Sequence, residues 1–267
     1  MVALAAGGVY LAVRHVPAIL GQTGCTAGSG HAAVALDPQQ AQIAATIAGV
    51  AYHRGMPSRA VTVAYATAMQ ETHLHDPNYG GRDSVGVFQQ RPSEGWGPPA
   101  KLINPVYAST RFFQALAQVH GYQKMPVYKA AQAVQHSADG SAYQQYQTLA
   151  SQLTSAFTGA APRGVWCWPT AHTHGSAELN PARRAVVRAF GPLTAQKAVS
   201  GGDAPSLSVQ VPQSSVGWAV AAWLVTHADQ FRLHKVRYAG FQWPAPAGHT
   251  GWVKDSGAAA AGTVQAS

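Results

Sequence analysis

The run Ala66-Thr67-Ala68-Met69-Gln70-Glu71-Thr72-His73-Leu74 carries one carboxylate at the end of an apolar segment. A short ribbon of mixed polarity, Asp83-Ser84-Val85-Gly86-Val87-Phe88-Gln89-Gln90, follows it. The chain has three glutamates, Glu71, Glu94 and Glu178, and only Glu71 stands among apolar neighbours. Burial there would raise its pKa and hold a proton near neutral pH. A protonated carboxylic acid in a cleft can deliver that proton to a leaving oxygen, as cleavage of a glycosidic bond requires. The bland alternative is a solvated glutamate at a helix end, which leaves the ordered residues after it without a reason.

A two-carboxylate glycosidase needs a partner roughly 5–9 Å from the acid. Asp83, at the start of the ribbon, is the best candidate for a second carboxylate. His73-x-His75 and His172-x-His174 invite a metal reading, but rings two residues apart on a helix do not face each other. No metal and no cofactor is therefore expected. Trp96, in the loop Gly95-Trp96-Gly97-Pro98-Pro99, suits either sugar stacking or anchoring of the loop. Tyr107, Phe112 and Phe113 read as core, as do Trp218 and Trp223.

The elements that must position these groups are legible from caps and periodicity. Asp37-Pro38-Gln39-Gln40 is a helix start, with an Asp cap, Pro at the first position and Gln three residues after the cap. Ile43, Ala44, Ile47, Ala48 and Ala51 then form an apolar stripe, and Gly55 ends the helix. Ser58 is expected to cap a second helix that leads through small residues to Glu71. Asn104-Pro105 opens another, and further helices are expected over 126–135 and 140–158. Beyond the Gly/Ala/Pro stretch 159–163 the character changes. Val186–Gly191 ends a helix, Ser206–Val211 alternates like a strand, Val216–His227 reads as an amphipathic helix, and Val236–Trp243 is a second strand region.

The expected organisation is an apolar export or anchor segment and linker (1–36), a mainly α domain (37–158), a linker (159–170), a small α+β domain (171–254) and a disordered tail (255–267). The 267 residues suffice for a sizeable core. Charged residues are only 10%, and the formal charge is +8. That positive balance suits an anionic neighbour such as lipid or an acidic wall polymer. Nucleic acid is not expected as a partner, because no Lys/Arg run and no recognised binding motif is present. Met1–Val13 is too short and lacks the basic start of a signal peptide, so it reads either as the end of an export or anchor helix, the favoured choice, or as a merely apolar leader. Cys25 and Cys167 are the two cysteines. In an exported protein they are expected to pair and tie the two ends of the helical domain; otherwise they are unrelated thiols.

The order Glu71, then Ser84-x-Gly86-x-x-Gln89, then Asn104 resembles the lytic transglycosylase and goose-type lysozyme group. The run Phe88-Gln89-Gln90-Arg91-Pro92-Ser93-Glu94-Gly95-Trp96-Gly97 is similar to exported actinobacterial proteins of that lysozyme-like fold. The resemblance covers residues 37–158. It implies a lysozyme-like helical domain acting on peptidoglycan glycan strands, with Glu71 as acid and then base. It places Ser84 and Gly86 beside the sugar, Gln89 and Gln90 in contact with it, and Asn104 in support of the site. Two departures stand out. Thr72 follows the glutamate where Ser is common, and Val134-Gln135-His136-Ser137-Ala138 replaces the Tyr-Asn-Ala-Gly segment of a late helix, leaving Tyr143 as the aromatic to take its place at the substrate. Transglycosylases of this group work with a single Glu and form a 1,6-anhydro sugar from the substrate's own 6-hydroxyl. Without a clear second carboxylate, that chemistry is favoured over hydrolysis. The rival is a catalytically inactive member of the fold that binds wall or serves as a scaffold for envelope proteins, with the N-terminal segment at the membrane. The C-terminal part faintly resembles domains shaped like zinc D,D-peptidases, but no His lies between His174 and His227, so no zinc is expected there.

Overall fold

A computed structural model of the chain describes residues 23–30, 33–137, 140–168, 175–198, 205–257 and 261–267. The apolar segment 1–22 and the pair His172 and His174 lie outside them.

The described chain opens with β1 (Gly24–Ala27) and β2 (Val34–Leu36), followed by helices α1 (Pro38–His53) and α2 (Ser58–Thr72). Asp37 caps α1 as expected. Its side chain accepts from the backbone of Gln40, whose own side chain reaches back to the cap. Ser58 does not cap α2, because Pro57 is the capping residue and makes no side-chain bond. A one-turn α3 (Pro99–Leu102) precedes α4 (Pro105–Gln118), where Asn104 Oδ1 accepts from the backbone N–H groups of Val106 and Tyr107. Helix α5 (Val127–Gln135), a 3-10 turn (Ser141–Tyr146) and α6 (Gln147–Phe157) complete a helical part.

An α+β part follows. Strand β3 (Val165–Trp168) leads to α7 (Leu179–Phe190), then β4 (Ala195–Ala198), β5 (Ser206–Gln210), α8 (Ser214–Thr226) and the single turn α9 (Ala228–Phe231). Strands β6 (Lys235–Tyr238), β7 (Phe241–Pro244), β8 (Val253–Lys254) and β9 (Thr263–Ala266) end it. The sheet they build is antiparallel and six-stranded, in the order β4-β5-β9-β6-β7-β8. Ala239 and Gly240, both at positive φ, turn β6 into β7 as a primed hairpin turn requires.

Three expectations are corrected here. The tail after Asp255 is not a loose end: Thr263–Ala266 pairs with both β5 and β6 in the middle of the sheet. Val264 and Ala266 supply the buried face, and two strand partners outweigh a composition that reads as disordered. The stretch 159–170 is not only a linker, because Val165–Trp168 pairs with β1 in a three-stranded sheet of order β2-β1-β3. Helix α8 is not amphipathic. Every residue from Val216 to Thr226 is buried, since the helix lies between α1 on one side and the strands of the large sheet on the other. A helix covered on both sides is apolar all round.

Helix α1 joins the two parts. It packs on α2 and α4 of the helical part and on α7 and α8 of the α+β part. The buried side chains form one continuous core. Small residues permit this closeness: a Cβ on Gly49 would stand 2.9 Å from the ring of Phe190 in α7.

Cys25 and Cys167 are opposite one another in the β1–β3 register and form a disulfide across 142 positions. A cross-link of that span is the kind kept in oxidising compartments. Replacing both cysteines by Ala should lower the unfolding free energy by up to about 5 kcal/mol in the chain-entropy picture. Urea denaturation of the oxidised wild type and the double variant checks this; equal midpoints would contradict it.

Candidate active site

Glu71 lies in the last turn of α2 and is half-buried. Its Oε1 accepts from the hydroxyl of Tyr143 at 2.8 Å and from Nε2 of Gln135 at 3.2 Å. The same Gln135 amide donates to the backbone carbonyl of Phe88 at 2.8 Å, so one side chain links the carboxylate to the ribbon. Among the described residues, Oε2 of Glu71 makes no hydrogen bond and remains available for a ligand. Burial pushes the Tyr143 phenol well above its ordinary value, and the Glu71 charge beside it adds to the shift. The phenol therefore stays protonated and remains a donor.

The helix end is shaped for this placement. His73 and Leu74 both have positive φ, and the N–H groups of His73 and Leu74 close back on Met69 and Ala68. Two such residues in succession cost free energy, roughly 1–2 kcal/mol each. They reverse the chain just after Glu71, and Leu74 enters the core. Thr72 Oγ1 reaches Val87 O at 2.9 Å, so the hydroxyl that follows the glutamate pins the helix to the ribbon.

The ribbon is a tight loop closed by the Val85–Gln90 bridge. Ser84 is buried, with Oγ 2.8 Å from Gln89 Oε1 and 2.9 Å from Gly81 O. The Gln89 amide donates within the same loop. Gly86 has φ of 77°, and a Cβ on it would fall 2.3 Å from the carbonyl of Leu102, so only glycine fits. Ser84, Gly86 and Gln89 thus stand together in the ribbon, engaged with one another. Gln90 is fully buried and donates to Ala108 O, which makes it a strut between loop and α4 rather than a substrate contact. Asn104 acts as the cap of α4.

Asp83 is not placed as a second reacting carboxylate. Its oxygens accept from Arg91 Nε at 2.9 Å, from the backbone N–H of Ser93 at 2.8 Å and from the Ser93 hydroxyl at 3.0 Å. Those donors, the Ser93 N–H foremost, hold its pKa down at about 2. Arg91 also pairs with Glu94, so the three side chains brace the loop that carries Trp96. Trp96 is half-buried, and Arg111 clamps the carbonyls of Gly95 and Trp96. It borders a cavity of about 570 Å³ together with Glu94, Ala115, Val134, Gln135 and His136. Gln135 is thereby shared between this cavity and Glu71.

Around the helix end the two histidines have plain partners. His75 Nε2 meets Asp37 at 2.9 Å, and His73 meets the Tyr146 hydroxyl at 3.3 Å. Among the described residues no group of three or more His, Cys, Asp or Glu gathers where a metal would sit.

Two site residues were not foreseen from sequence. Gln135 stands in the segment that departs from the expected motif, and nothing local marks a helix-terminal amide as a clamp. Asp76 follows the helix end; burial lifts its pKa to about 6 despite the Val87 N–H bond that lowers it, and its Oδ1 is buried without a partner. Its position before Pro77, in a loop with few other charges, was the available signal.

The chain matches no family model, and no curated protein matches it.

Asp76 and His227 impose opposite pH dependences on stability. Asp76 is raised from 3.8 to about 6, so the native state holds the extra proton and stability falls as pH rises through that window. His227 is lowered from 6.5 to about 4 by burial, so stability falls as pH drops from 6.5 towards 4. Asp76→Asn should melt higher than wild type above pH 6 and the same below pH 4, exposing the acid-side loss due to His227. Thermal melts across this range check it; a variant less stable than wild type at pH 8 would contradict it.

Proposed function

We propose that the chain cleaves peptidoglycan glycan strands as a lytic transglycosylase with Glu71 as its single acid and base. The observation that carries the reading is the clamp on Glu71. Tyr143 and Gln135 fix Oε1, while Oε2 is left for a substrate atom. In the proposed reaction Glu71 gives a proton to the glycosidic oxygen as the bond from that oxygen to C1 breaks. The resulting carboxylate then removes the proton of the sugar's 6-hydroxyl as that oxygen bonds to C1, which returns Glu71 to its acid form and yields the 1,6-anhydro product. No second carboxylate is needed, which agrees with Asp83 being committed to Arg91 and Ser93. The cavity beside Trp96 and Gln135 supplies a groove for the strand, with the indole beside it to pack on a sugar. The Ser84–Gln89 pair would open toward the N-acetyl group or remain as the wall behind it. Tyr143 becomes a positioning group for the acid rather than a sugar platform.

The disulfide supports an exported chain working at the cell envelope. Among the described residues no helix is long and apolar enough to cross a membrane.

The second reading, an inactive wall-binding or scaffold module, is favoured by one observation: the ribbon residues spend their polar groups on each other. Solubilisation of purified sacculi separates the two. Wild type should release soluble fragments; Glu71→Gln should lose at least about 10²-fold in rate, as removal of a general acid does, while still sedimenting with sacculi. Tyr143→Phe should keep binding and lower the rate less. Equal rates for wild type and Glu71→Gln, or binding without release by both, would sink the enzyme reading.

A further inference from the structure

Asp76 carries a carboxylate that the cleavage reading does not use. It follows Glu71 in the chain and borders the seam between the helical and α+β parts, where Arg188 and Trp223 stand on the other side. Its Oδ1 is buried without a partner, while the carboxylate takes the N–H of Val87. A Cβ built on Gly86 would fall 3.3 Å from that Oδ1, so the carboxylate lies directly against the ribbon. Burial lifts its pKa to about 6, so above that pH the ionised group costs stability. A group that costs stability where it stands fits a role in the site better than a role in the fold.

The middle of the ribbon is held group by group. The Gly86 N–H donates to Pro77 O at 2.8 Å, and the Val87 N–H goes to Asp76. Val87 O accepts from Thr72 Oγ1 at 2.9 Å. Phe88 O accepts from Gln135 Nε2 at 2.8 Å, and the same amide group donates to Glu71 Oε1 at 3.2 Å. Thr72, Asp76 and Pro77 all belong to the segment that leaves Glu71, so the chain after the acid grips the ribbon that in turn supports the clamp on the acid. Of these holders Asp76 is the ionisable one, and a carboxylate accepts a hydrogen bond more strongly than a neutral group does. It acts one residue before the carbonyl that Gln135 uses.

We propose that Asp76 is a positioning residue for Glu71: its carboxylate fixes the ribbon at Val87, so that the Phe88 carbonyl stands where Gln135 can hold it and Glu71 Oε1 with one amide group. The proposal rests on the reading of Glu71 as the acid of glycan cleavage. It adds a role for a side chain that has no hydrogen bond to Glu71 among the described residues and acts on it only through the ribbon and Gln135.

Kinetics on purified sacculi, together with the side-chain amide resonances of Gln135 identified by their loss in Gln135→Ala, test it on the full chain. Asp76→Ala should lower kcat about tenfold or more and leave the apparent KM for sacculi unchanged, because a small displacement of the acid costs rate and not binding. Asp76→Asn should keep most of the rate, since its amide oxygen accepts the same N–H. The double variant Asp76→Ala/Gln135→Ala should be no slower than Gln135→Ala alone, because both changes break one link; independent losses would multiply. The Gln135 resonances should shift in Asp76→Ala and stay in place in Asp76→Asn. If circular dichroism shows Asp76→Ala unfolded, Asp76→Leu, close to the carboxyl in shape but without an acceptor, replaces it in each arm. Wild-type kcat or unmoved Gln135 resonances in the folded variant would overturn the proposal, as would an asparagine variant as slow as the alanine one or losses that multiply. A wild type that releases no fragments defeats the cleavage reading instead, and the resonances then decide alone whether Asp76 positions Gln135.

Discussion

Close packing around helix α1 is the constraint on which the rest of the molecule depends. Its alanines and Gly49 let helices from both parts approach it, and it is buried at Ala41 and from Ile43 to Ala51. Because α1 belongs to both neighbourhoods, the helical and α+β parts share one core. Interiors packed at this density transmit small volume changes, so neither part can shift on α1 without the other feeling it. The Asp37 cap at the start of α1 extends the same logic to the candidate site, since Asp37 holds His75 and Gln40 donates to His73 O just beyond Glu71.

The two polar features of interest sit at different distances from that packing. Glu71 is at the free end of α2, where the helix leaves the core and strained residues reverse the chain. Its carboxylate is held by groups from a later part of the chain, Gln135 and Tyr143, so its geometry depends on α5 and the turn after it. Asp76, five residues on, is drawn into the seam and pays for burial with a raised pKa. The short segment between them thus separates a carboxylate held by two side-chain donors from one whose Oδ1 is buried without a partner.

Much of the framework was legible because local signals agreed with tertiary ones. The Asp37 capping box, the Asn104-Pro105 start and the strand regions 206–211 and 236–243 are local features, and the folded chain uses them all. Cys25 and Cys167 meet in register. The misses share one cause: they are decided by partners distant in sequence. Thr263–Ala266 carries little strand signal by itself and becomes a central strand because β5 and β6 flank it. Val216–Thr226 has no charged residue, yet only the two layers around it show why none is tolerated. At the candidate site, Glu71 stood out by its apolar setting, and the ribbon by its spacing with it. Gln135 and the role of Arg91 in neutralising Asp83 did not: the first depends on how α5 meets the ribbon and Glu71, the second on how the loop 83–93 folds back on itself.

The central claim is that one carboxylate, positioned by Tyr143 and Gln135, suffices for strand cleavage. Mass spectrometry of fragments released from purified peptidoglycan tests it most directly, because the product records where the second nucleophile came from. The account predicts fragments ending in 1,6-anhydro sugars, each lighter by one water than its hydrolysed counterpart. Fragments with ordinary reducing ends would show that water attacked instead, and would contradict it.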